Sequence, residues 1–279
     1  MKNILIIGAN GFTGRRILND LSVNPIYHVT GCSLRDDICP GKDYRFVRTD
    51  IRDENEVRKL FKECRPDIVI NTSALSVPDY CETHHAEAEA TNVTAVETIA
   101  HVCEQYGSRF IHLSTDFVFD GKSTRLYKEE DEAIPVNYYG VTKLKAEKII
   151  ASICSNYAIV RVVVVYGKAL PGQHGNILQL VANRLRNGET IRVVSDQWRT
   201  PTFVGDISVG VEKLMFHTAN GIYHICGSEC LTIAEIAYRV ADFLKLDRSL
   251  IEPVTTEEMK EVTPRPRFSG LSIEKAKRS

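Results

Sequence analysis

A tyrosine and a lysine four residues apart, Tyr139 and Lys143, are the side chains of this sequence best suited to acid–base chemistry. Residues at i and i+4 share one face of a helix, so a helix over Tyr139–Ile153 places them side by side. A free phenol has a pKa of about 10, and a neighbouring ammonium favours the phenolate and lowers that pKa. Thr115, at the end of an earlier apolar run, adds a hydroxyl that can donate to a substrate oxygen. The set predicts a site that binds a carbonyl oxygen and gives it a proton.

This spacing also occurs by chance in ordinary amphipathic helices, so the neighbouring residues have to be considered. Tyr138 is a second candidate, but the residue four positions after it is Thr142, and it therefore lacks the lysine. Lys143 can in addition donate to the ribose hydroxyls of a nicotinamide cofactor. That second role would link proton transfer to cofactor position.

A glycine-rich turn follows the first apolar run, Ile4–Ile7, and opens the amphipathic segment Phe12–Leu21. Glycine has no Cβ, so the backbone can turn tightly and approach a pyrophosphate, while the helix N-terminus supplies free N–H groups. The turn predicts a dinucleotide site formed by Gly8, Asn10, Gly11, Phe12, Thr13 and Gly14. A cofactor site followed by a proton donor indicates a carbonyl–alcohol oxidoreductase.

The end of the second predicted strand bears on the choice of cofactor. An acid there holds the ribose 2′-hydroxyl of NAD, but Ser33 and Arg35 precede any acid in this sequence. A hydroxyl and a guanidinium suit a 2′-phosphate, so the sequence favours NADP(H) over NAD(H). The alternative stays open because Asp36 or Asp37 could turn toward the ribose.

Asp50 and Ile51 follow the third predicted strand and have two interpretations. They could cover the adenine, with the carboxylate accepting from the amino group. They could equally form the turn before a helix that begins near Asp53.

Short β-branched runs alternate with amphipathic stretches through most of the chain. The predicted strands are Ile4–Ile7, His28–Cys32, Phe46–Arg48, Asp67–Asn71, Phe110–Leu113, Ala158–Val165, Ile191–Val194 and Ile222–Cys226. The predicted helices are Phe12–Leu21, Asp53–Cys64, Ala86–Tyr106 with Gly107 as C-cap, Tyr139–Ile153, Ile177–Asn187 and Thr232–Leu244. This order predicts an α/β fold, a doubly wound parallel Rossmann sheet whose ligands bind at the carboxyl ends of the strands.

The final third is less regular and predicts a smaller, partly interleaved substrate-binding lobe. We expect residues 1–165 plus roughly 190–216 to form the NAD(P)-binding domain. Residues of roughly 166–189 and 217–279 would form the lobe.

The composition excludes several classes of protein. The formal net charge of −1 over 279 residues argues against nucleic-acid binding. No stretch is long and apolar enough to cross a membrane. The eight cysteines form no framework of close pairs, which is typical of a cytoplasmic protein. His84 and His85 are adjacent rather than spaced along one helix face, so no metal site is expected.

Several motifs together resemble the extended short-chain dehydrogenase/reductase superfamily and, within it, the dTDP-4-dehydrorhamnose reductase family. The resemblance runs almost end to end. The segments that carry it are 8–14, 114–121, 139–144, 196–202 and 265–269, which read GANGFTG, STDFVFDG, YGVTKL, DQWRTPT and RPRFS.

The resemblance implies reduction of the 4-keto group of a nucleotide-linked 6-deoxyhexose, as in dTDP-L-rhamnose synthesis, with NADPH or NADH. It implies Thr115, Tyr139 and Lys143 as the catalytic set, with Asp116 orienting the substrate. It also implies a cofactor-lining turn and a supporting asparagine, at Thr72, Ser73, Ala74 and Asn92.

The sequence departs from the family pattern at two places, which leaves the particular sugar open. Thr72 and Ser73 replace two alanines, and Trp198 and Arg199 stand where a glycine is common. Trp198 could stack on the substrate or be buried in the lobe. Arg199 and Arg265 are expected to pair with phosphates in the resembled family, although single arginines are more often surface charges.

Other functions remain open beside this one. Some relatives resemble the regulatory subunit of methionine adenosyltransferase, a non-catalytic NADP binder that acts through a partner. Another nucleotide-sugar epimerase or reductase is a further alternative. The partners expected are therefore a nucleotide sugar and, by analogy with extended reductases, a second copy of the chain in a homodimer.

Overall fold

The structure is a computed structural model that describes residues 1–41, 43–170, 173 and 175–278. The strands are β1 (Lys2–Ile7), β2 (Tyr27–Ser33), β3 (Arg45–Arg48), β4 (Ile68–Asn71), β5 (Arg109–Thr115), β6 (Tyr157–Val162), β7 (Val165–Tyr166), β8 (Ile191–Val194), β9 (Trp198–Arg199), β10 (Thr202–Phe203), β11 (Gly221–His224), β12 (Leu231–Thr232) and β13 (Ile251–Val254). The helices are α1 (Phe12–Ser22), α2 (Glu54–Cys64), α3 (Pro78–Thr83), α4 (His85–Glu89), α5 (Ala95–Tyr106), α6 (Tyr138–Ile153), α7 (Ile177–Arg186), α8 (Val204–Phe216), α9 (Ile233–Leu244), α10 (Thr256–Met259) and α11 (Glu274–Arg278). A π-helical turn covers Ala90–Thr94, and 3₁₀ turns cover Asp116–Val118 and Arg248–Leu250.

A seven-stranded parallel sheet in the order β11-β6-β5-β4-β1-β2-β3 forms the centre of the molecule. Alternate residues of β1 enter two separate apolar clusters, because successive side chains of a strand point to opposite faces. Ile4 and Ile6 pack with α1 and α8, whereas Leu5 and Ile7 pack with α2, α5 and α6. Helices on both faces of a parallel sheet confirm the predicted doubly wound α/β class.

The sheet reverses its direction of growth at β1, and doubly wound sheets generally bind ligands at such a reversal. The chain runs from β1 to β2 and β3 on one side, then returns to β4 on the other. Ile7 lies opposite Asn71 of β4, and Asn71 lies opposite His112 of β5. The glycine turn, the end of β4 and the end of β5 are therefore neighbours at one edge.

The predicted strand Ala158–Val165 is wrong at its end, because the chain leaves the central sheet after Val162. Val163 instead exchanges hydrogen bonds with the Thr202 hydroxyl, at 3.1 and 2.7 Å. Val164 then adopts a φ of 37°, a conformation that is unusual for a β-branched residue. The bend sends β7 away to pair with β10.

The predicted helix Ala86–Tyr106 is interrupted, since the π-helical turn Ala90–Thr94 separates α4 from α5. Its predicted end is confirmed, because Gly107 forms the C-cap with a φ of 67°. π-turns of this kind often occur at functional sites, and Asn92 lies in this one.

The C-terminal part contains an apolar cluster of its own between α7, α9, β8 and β13. Two strands lie outside the units that the sequence analysis assigned to them. Ile191–Val194 pairs with β13 in the lobe, and Gly221–His224 is the seventh strand of the central sheet. Apolar patterning identifies a strand but not its partner, and the division into two domains stays a proposal.

Among the described residues, no helix combines the length and apolar character needed to cross a membrane. The eight cysteines are free, and most are buried.

Candidate active site

The glycine turn is built from close backbone approaches that a side chain would block. Gly8 has a φ of 82°, and a Cβ there would lie 2.8 Å from both the Ser73 nitrogen and the Thr72 hydroxyl. A Cβ on Gly14 would collide with the carbonyl oxygen of Gly8. The Thr72 hydroxyl donates to the Ile7 carbonyl at 2.9 Å and so joins the end of β4 to this turn.

The N-terminus of α1 fits the pyrophosphate of a dinucleotide. Gly11 is its N-cap, no side chain caps the helix, and its first turn contains no acidic residue. The first N–H groups and the positive end of the helix dipole are thus free to meet an anion. Gly11, Phe12 and Thr13 lie at this helix start, and all keep some exposure to solvent.

The loop after β2 is fastened to the glycine turn through Arg15, which is 2% exposed. Arg15 pairs with Asp37, and the Tyr44 hydroxyl donates to Asp37 at 2.8 Å. Burial raises the pKa of Asp37, but hydrogen bonds from Cys39, Tyr44 and Arg15 outweigh it and lower the pKa overall. The side-chain amide of Asn10 also binds this loop, donating to the Asp36 carbonyl at 2.9 Å. Both carboxylate oxygens of Asp37 are therefore engaged by groups of the protein.

Ser33 ends β2 with a half-buried side chain, and Arg35 follows it with an exposed one. Among the described residues, the Arg35 guanidinium has no ion-pair partner. Both predicted 2′-phosphate contacts thus lie at the carboxyl edge beside the glycine turn, with Arg35 available to a ligand.

Asp50 lies in the turn before α2, and its carboxylate accepts from Arg52 at 2.6 Å. That interaction is the first cause of its lowered pKa. Asp53 caps α2, accepting from the Asn55 nitrogen at 2.8 Å. Half-buried Ile51 packs against the core. This is the arrangement that the second interpretation expects, and adenine contact by Asp50 and Ile51 stays a prediction.

The side chain of Asn92 holds the turn after β4 in place. Its amide oxygen accepts from the Leu75 nitrogen at 2.8 Å, and its amide nitrogen donates to Thr142 of α6 at 3.1 Å. Asn92 is fully buried, so it supports the site instead of facing a ligand. Thr72, Ser73 and Ala74 keep partial exposure beside the glycine turn.

Tyr139 and Thr115 meet because α6 begins close to the end of β5. Asn137 caps α6 by accepting from the Gly140 nitrogen at 2.9 Å. Gly140 lies directly against the carbonyl of Phe117, where a Cβ would collide with it. The centroid of the Tyr139 ring thereby lies 6.0 Å from that of the Phe117 ring, and the Tyr139 phenol lies beside the Thr115 hydroxyl.

The Tyr139 phenol is held in its protonated form. Burial raises its pKa above the ordinary value, the negative charge of Asp116 adds to the rise, and the hydrogen bond with Thr115 opposes it. The expected lowering of this pKa by Lys143 is wrong for this conformation. A raised pKa keeps a proton on the phenol at neutral pH but makes the phenol a weaker acid, whereas an efficient proton donor has a pKa near the operating pH.

Lys143 shares the helix face of Tyr139, but its side chain points into the protein and is 1% exposed. Its Nζ donates to the Leu113 carbonyl at 2.7 Å and lies 2.8 Å from Nε2 of His112. Burial lowers the pKa of Lys143 to about 8, with Glu147 opposing the shift. In this conformation its partners belong to β5 and not to the tyrosine.

The predicted substrate residues differ in their exposure to solvent. Asp116 and Arg199 are buried, with Arg199 donating to the carbonyl of Trp198 at 2.8 Å and to Gln197 at 3.1 Å. The structure therefore does not place Arg199 where it could bind a diphosphate. The Trp198 side chain is 39% exposed, which leaves it able to stack on a ligand. Arg265 is partly exposed and pairs with Glu261 at 2.9 Å and Asp79 at 3.4 Å.

His84 and His85 each stack on a tyrosine, with ring centroids 3.7 Å from Tyr80 and 3.6 Å from Tyr138. Within the described ranges, no group of three or more His, Cys, Asp or Glu side chains is arranged to hold a metal ion.

A family model described as the RmlD substrate binding domain matches residues 1–279. The chain belongs to this family. A probable low-salt glycan biosynthesis reductase of Haloferax volcanii is 30% identical over 271 residues, which cover 96% of this chain and 89% of that protein. Methionine adenosyltransferase 2 subunit beta of Xenopus laevis is 32% identical over 270 residues, which cover 95% of this chain and 78% of that protein.

Among solved structures, this RmlD-family chain is similar to dTDP-4-dehydrorhamnose reductase of Bacillus anthracis in complex with NADP. The TM-score is 0.87 at 26% identity, covering 99% of this chain and 92% of that one. The family and fold expected from the motifs are thus confirmed.

Sequence reasoning missed three residues that shape the site of this RmlD-family protein. They are Arg15, which engages Asp37, Gly140, which lets α6 approach β5, and His112, which contacts Lys143. Gly140 could have been identified from the sequence, because glycine is a poor helix former and its place in the first turn of a predicted helix needs another reason. Arg15 and His112 carried none, because their partners are distant in sequence.

Proposed function

We propose that this chain is a reductase that favours NADP(H) and reduces the 4-keto group of a nucleotide-linked 6-deoxyhexose, as in dTDP-L-rhamnose synthesis. The observation that carries the proposal is the position of the Tyr139 phenol beside Thr115, at the sheet edge that also holds the glycine turn. Membership of the RmlD family supports the sugar-nucleotide substrate class.

In this reaction the hydroxyls of Tyr139 and Thr115 bind the substrate carbonyl oxygen, and the Thr115 hydroxyl gives up its donation to Asp116 at 3.1 Å. A bound nicotinamide cofactor would supply a hydride to the carbonyl carbon. Tyr139 gives its phenolic proton to the oxygen, and Thr115 hydrogen-bonds to the same oxygen as negative charge develops there. One hydride and one proton are consumed, and the ketone becomes a secondary alcohol.

The preference for NADP(H) is supported by how the loop after β2 is held. Asp37 is occupied by Arg15 and Tyr44, so it is not free to accept from a ribose 2′-hydroxyl. Arg35 is exposed at the same loop, and a guanidinium binds phosphate with charge-assisted hydrogen bonds.

The residues expected to contact the substrate suit a ligand that contains a ring and carries negative charge. Exposed Trp198 offers an aromatic face, and Arg265 offers a cation once its pairs with Glu261 and Asp79 yield to a phosphate. Arg199 acts through Asp116 instead of meeting the ligand.

The test is consumption of NADPH with dTDP-4-dehydro-6-deoxy-L-mannose generated in place by the enzymes that precede it, with NADH in parallel. We expect rapid oxidation of NADPH, slower oxidation of NADH, and a dTDP-linked alcohol as product. Tight NADPH binding without turnover on this or other 4-keto nucleotide sugars would overturn the proposed reaction.

A second candidate is a non-catalytic regulatory subunit, which the 32% identity to methionine adenosyltransferase 2 subunit beta favours. It predicts a stable complex with a methionine adenosyltransferase catalytic subunit and no reductase turnover. Size-exclusion chromatography of the mixed proteins separates the two candidates. A homodimer and a cytoplasmic location stay predictions.

A further inference from the structure

A chain of buried polar side chains runs beneath the glycine turn and the catalytic tyrosine, from β4 through β5 to α6. Nδ2 of Asn71 lies 3.1 Å from Nδ1 of His112, and Nε2 of His112 lies 2.8 Å from Nζ of Lys143. None of the three residues is more than 1% exposed. Bulk solvent therefore does not reach these hydrogen bonds, and the side chains serve as one another's partners.

The direction of this chain is set by a backbone group. The N–H of Ser73 lies 3.0 Å from Oδ1 of Asn71 and can only donate, so the amide oxygen of Asn71 must face it. The Ser73 hydroxyl donates to the same oxygen at 2.6 Å. The amide nitrogen of Asn71 consequently faces His112 and donates to its Nδ1.

The contact with Asn71 then fixes the tautomer of His112. A neutral imidazole carries a single N–H, and since Nδ1 accepts, that N–H is on Nε2 and donates toward Lys143. An ammonium has no lone pair, so only a neutral amine at Lys143 can accept this bond. The amine keeps its own donor for the Leu113 carbonyl, at 2.7 Å.

The electrostatics of the two bases agree with this assignment. Burial lowers the pKa of His112 well below its ordinary value, so an imidazolium is disfavoured. Burial also lowers the pKa of Lys143 to about 8, so the neutral amine predominates above about pH 8.

We propose that Asn71 and His112 hold Lys143 as a neutral amine in the cofactor-free protein, and that binding of the nicotinamide dinucleotide charges Lys143 with a proton taken from solvent. The second half rests on the proposed function, whereas the charge state of the free protein does not. One N–H bond forms at Nζ, the proton comes from the buffer, and no electron is transferred. The anionic dinucleotide favours the ammonium, and the ammonium must leave its contact with His112.

The other charged groups near Lys143 are already engaged. Glu147, one turn further along α6, binds Arg161 of β6 at 2.6 Å and Ser114 of β5 at 2.5 Å. Asp116, after β5, is engaged by Ser269 and lies beside Arg199. Toward α4 and α5, Asn92 presents only an amide. Tyr139, one turn earlier on α6, is a neutral phenol. Because Glu147 and Asp116 are both engaged, no unpaired carboxylate among the described residues stabilises an ammonium at Lys143.

The substitution Asn71→Asp should reverse the direction of the hydrogen bonds from residue 71 to Lys143, because aspartate has almost the shape of asparagine. The carboxylate introduced can accept from the Ser73 N–H with one oxygen and from Nδ1–H of His112 with the other. The imidazole proton then moves to Nδ1, and Nε2 becomes an acceptor for an ammonium at Lys143.

The tautomer is measured directly in the cofactor-free protein by nitrogen-15 NMR of the histidine rings, with His112→Gln to assign the signal. We expect the Nε2–H tautomer in the wild type and the Nδ1–H tautomer in Asn71→Asp. An Nδ1–H tautomer or an imidazolium in the wild type overturns the inference, whether or not the variant folds.

Proton uptake is measured by titrating NADPH calorimetrically in two buffers of different ionisation enthalpy. At about pH 8.5 the 2′-phosphate, with a pKa of about 6, is fully ionised and contributes nothing. With a Lys143 pKa of about 8, we expect uptake of more than about half a proton per NADPH by the wild type and by the exposed control His28→Gln. Asn71→Asp and Lys143→Met should take up almost none.

The outcomes separate the two proposals. NADPH binding without proton uptake by the wild type overturns the inference and leaves the proposed function intact. Equal uptake by the wild type and Asn71→Asp also overturns it. Absence of NADPH binding contradicts the proposed cofactor, while the NMR measurement still decides the charge state of the free protein.

Discussion

Nε of Arg199 lies 3.7 Å from Oδ2 of Asp116, and the two side chains are only 2% and 4% exposed. The pair lies directly behind Thr115, whose hydroxyl donates to the other oxygen of Asp116 at 3.1 Å. Burial raises the pKa of Asp116, whereas Arg199, Ser269 and Thr115 oppose the rise. Arg199 thus acts on the candidate site by holding a buried carboxyl group.

Replacing Arg199 should destabilise the protein because it leaves Asp116 buried without its cation. We expect Arg199→Met to lower the free energy of unfolding by about 3–5 kcal/mol, measured by urea denaturation. Arg192→Met is the matched control, since Arg192 and Glu252 form an exposed pair, and it should change stability by less than about 1 kcal/mol. Equal effects of the two variants would contradict this account.

Tyr139→Phe removes the phenolic proton but keeps the ring against Phe117. We expect kcat to fall by about 10²–10⁴-fold while the Kd for NADPH changes little. Tyr138→Phe is the control, because that hydroxyl donates to Glu89 at 2.9 Å, away from Thr115. Retention of full kcat by Tyr139→Phe would refute the assigned proton donor.

Gly140→Ala should disturb the site and the fold together. The added methyl collides with the Phe117 carbonyl, so α6 must move away from β5 and carry Tyr139 with it. We expect a loss of about 1–3 kcal/mol in the free energy of unfolding, together with lower kcat. Gly175→Ala adds the same methyl where the nearest atom lies 3.6 Å away, and it should be within about 0.5 kcal/mol of wild type.

Buried His224 should make the protein sensitive to mild acid. Burial and the charge of Arg161 lower its pKa from 6.5 to about 3, so between those pH values the unfolded chain binds the extra proton. The free energy of unfolding therefore decreases as pH falls through this window. From about pH 7 to 5 we expect the wild type to lose about 2 kcal/mol more than His224→Leu.

The comparison is made by urea denaturation at both pH values, with exposed His28→Gln as the control that should follow the wild type. An identical loss in the wild type and His224→Leu would show that His224 does not carry the acid sensitivity.

Arg35→Ser tests the cofactor preference. Removing one charge-assisted contact of about 1.5–3 kcal/mol should raise the Kd for NADPH by about tenfold to a hundredfold and leave that for NADH nearly unchanged. Arg45→Ser, which breaks the exposed pair with Glu63, is the control and should affect neither cofactor. Equal weakening of NADPH and NADH would contradict a 2′-phosphate contact.

Sequence patterns were sufficient where the signal is local. The apolar runs and the glycine spacing predicted the parallel sheet, the glycine turn and the helix that carries Tyr139. They were insufficient where a strand could join either of two sheets, as for Gly221–His224, because apolar alternation does not encode the partner.

The amino-acid sequence by itself determined that Thr115 and Tyr139 belong to one edge of the sheet, because strand order and helical periodicity place them there. Only the tertiary structure decided the direction of Lys143. A helix position fixes which face a side chain leaves from, but a long flexible chain goes to the partners that packing brings within reach. For Lys143 these are His112 and the Leu113 carbonyl, about thirty residues earlier in the chain.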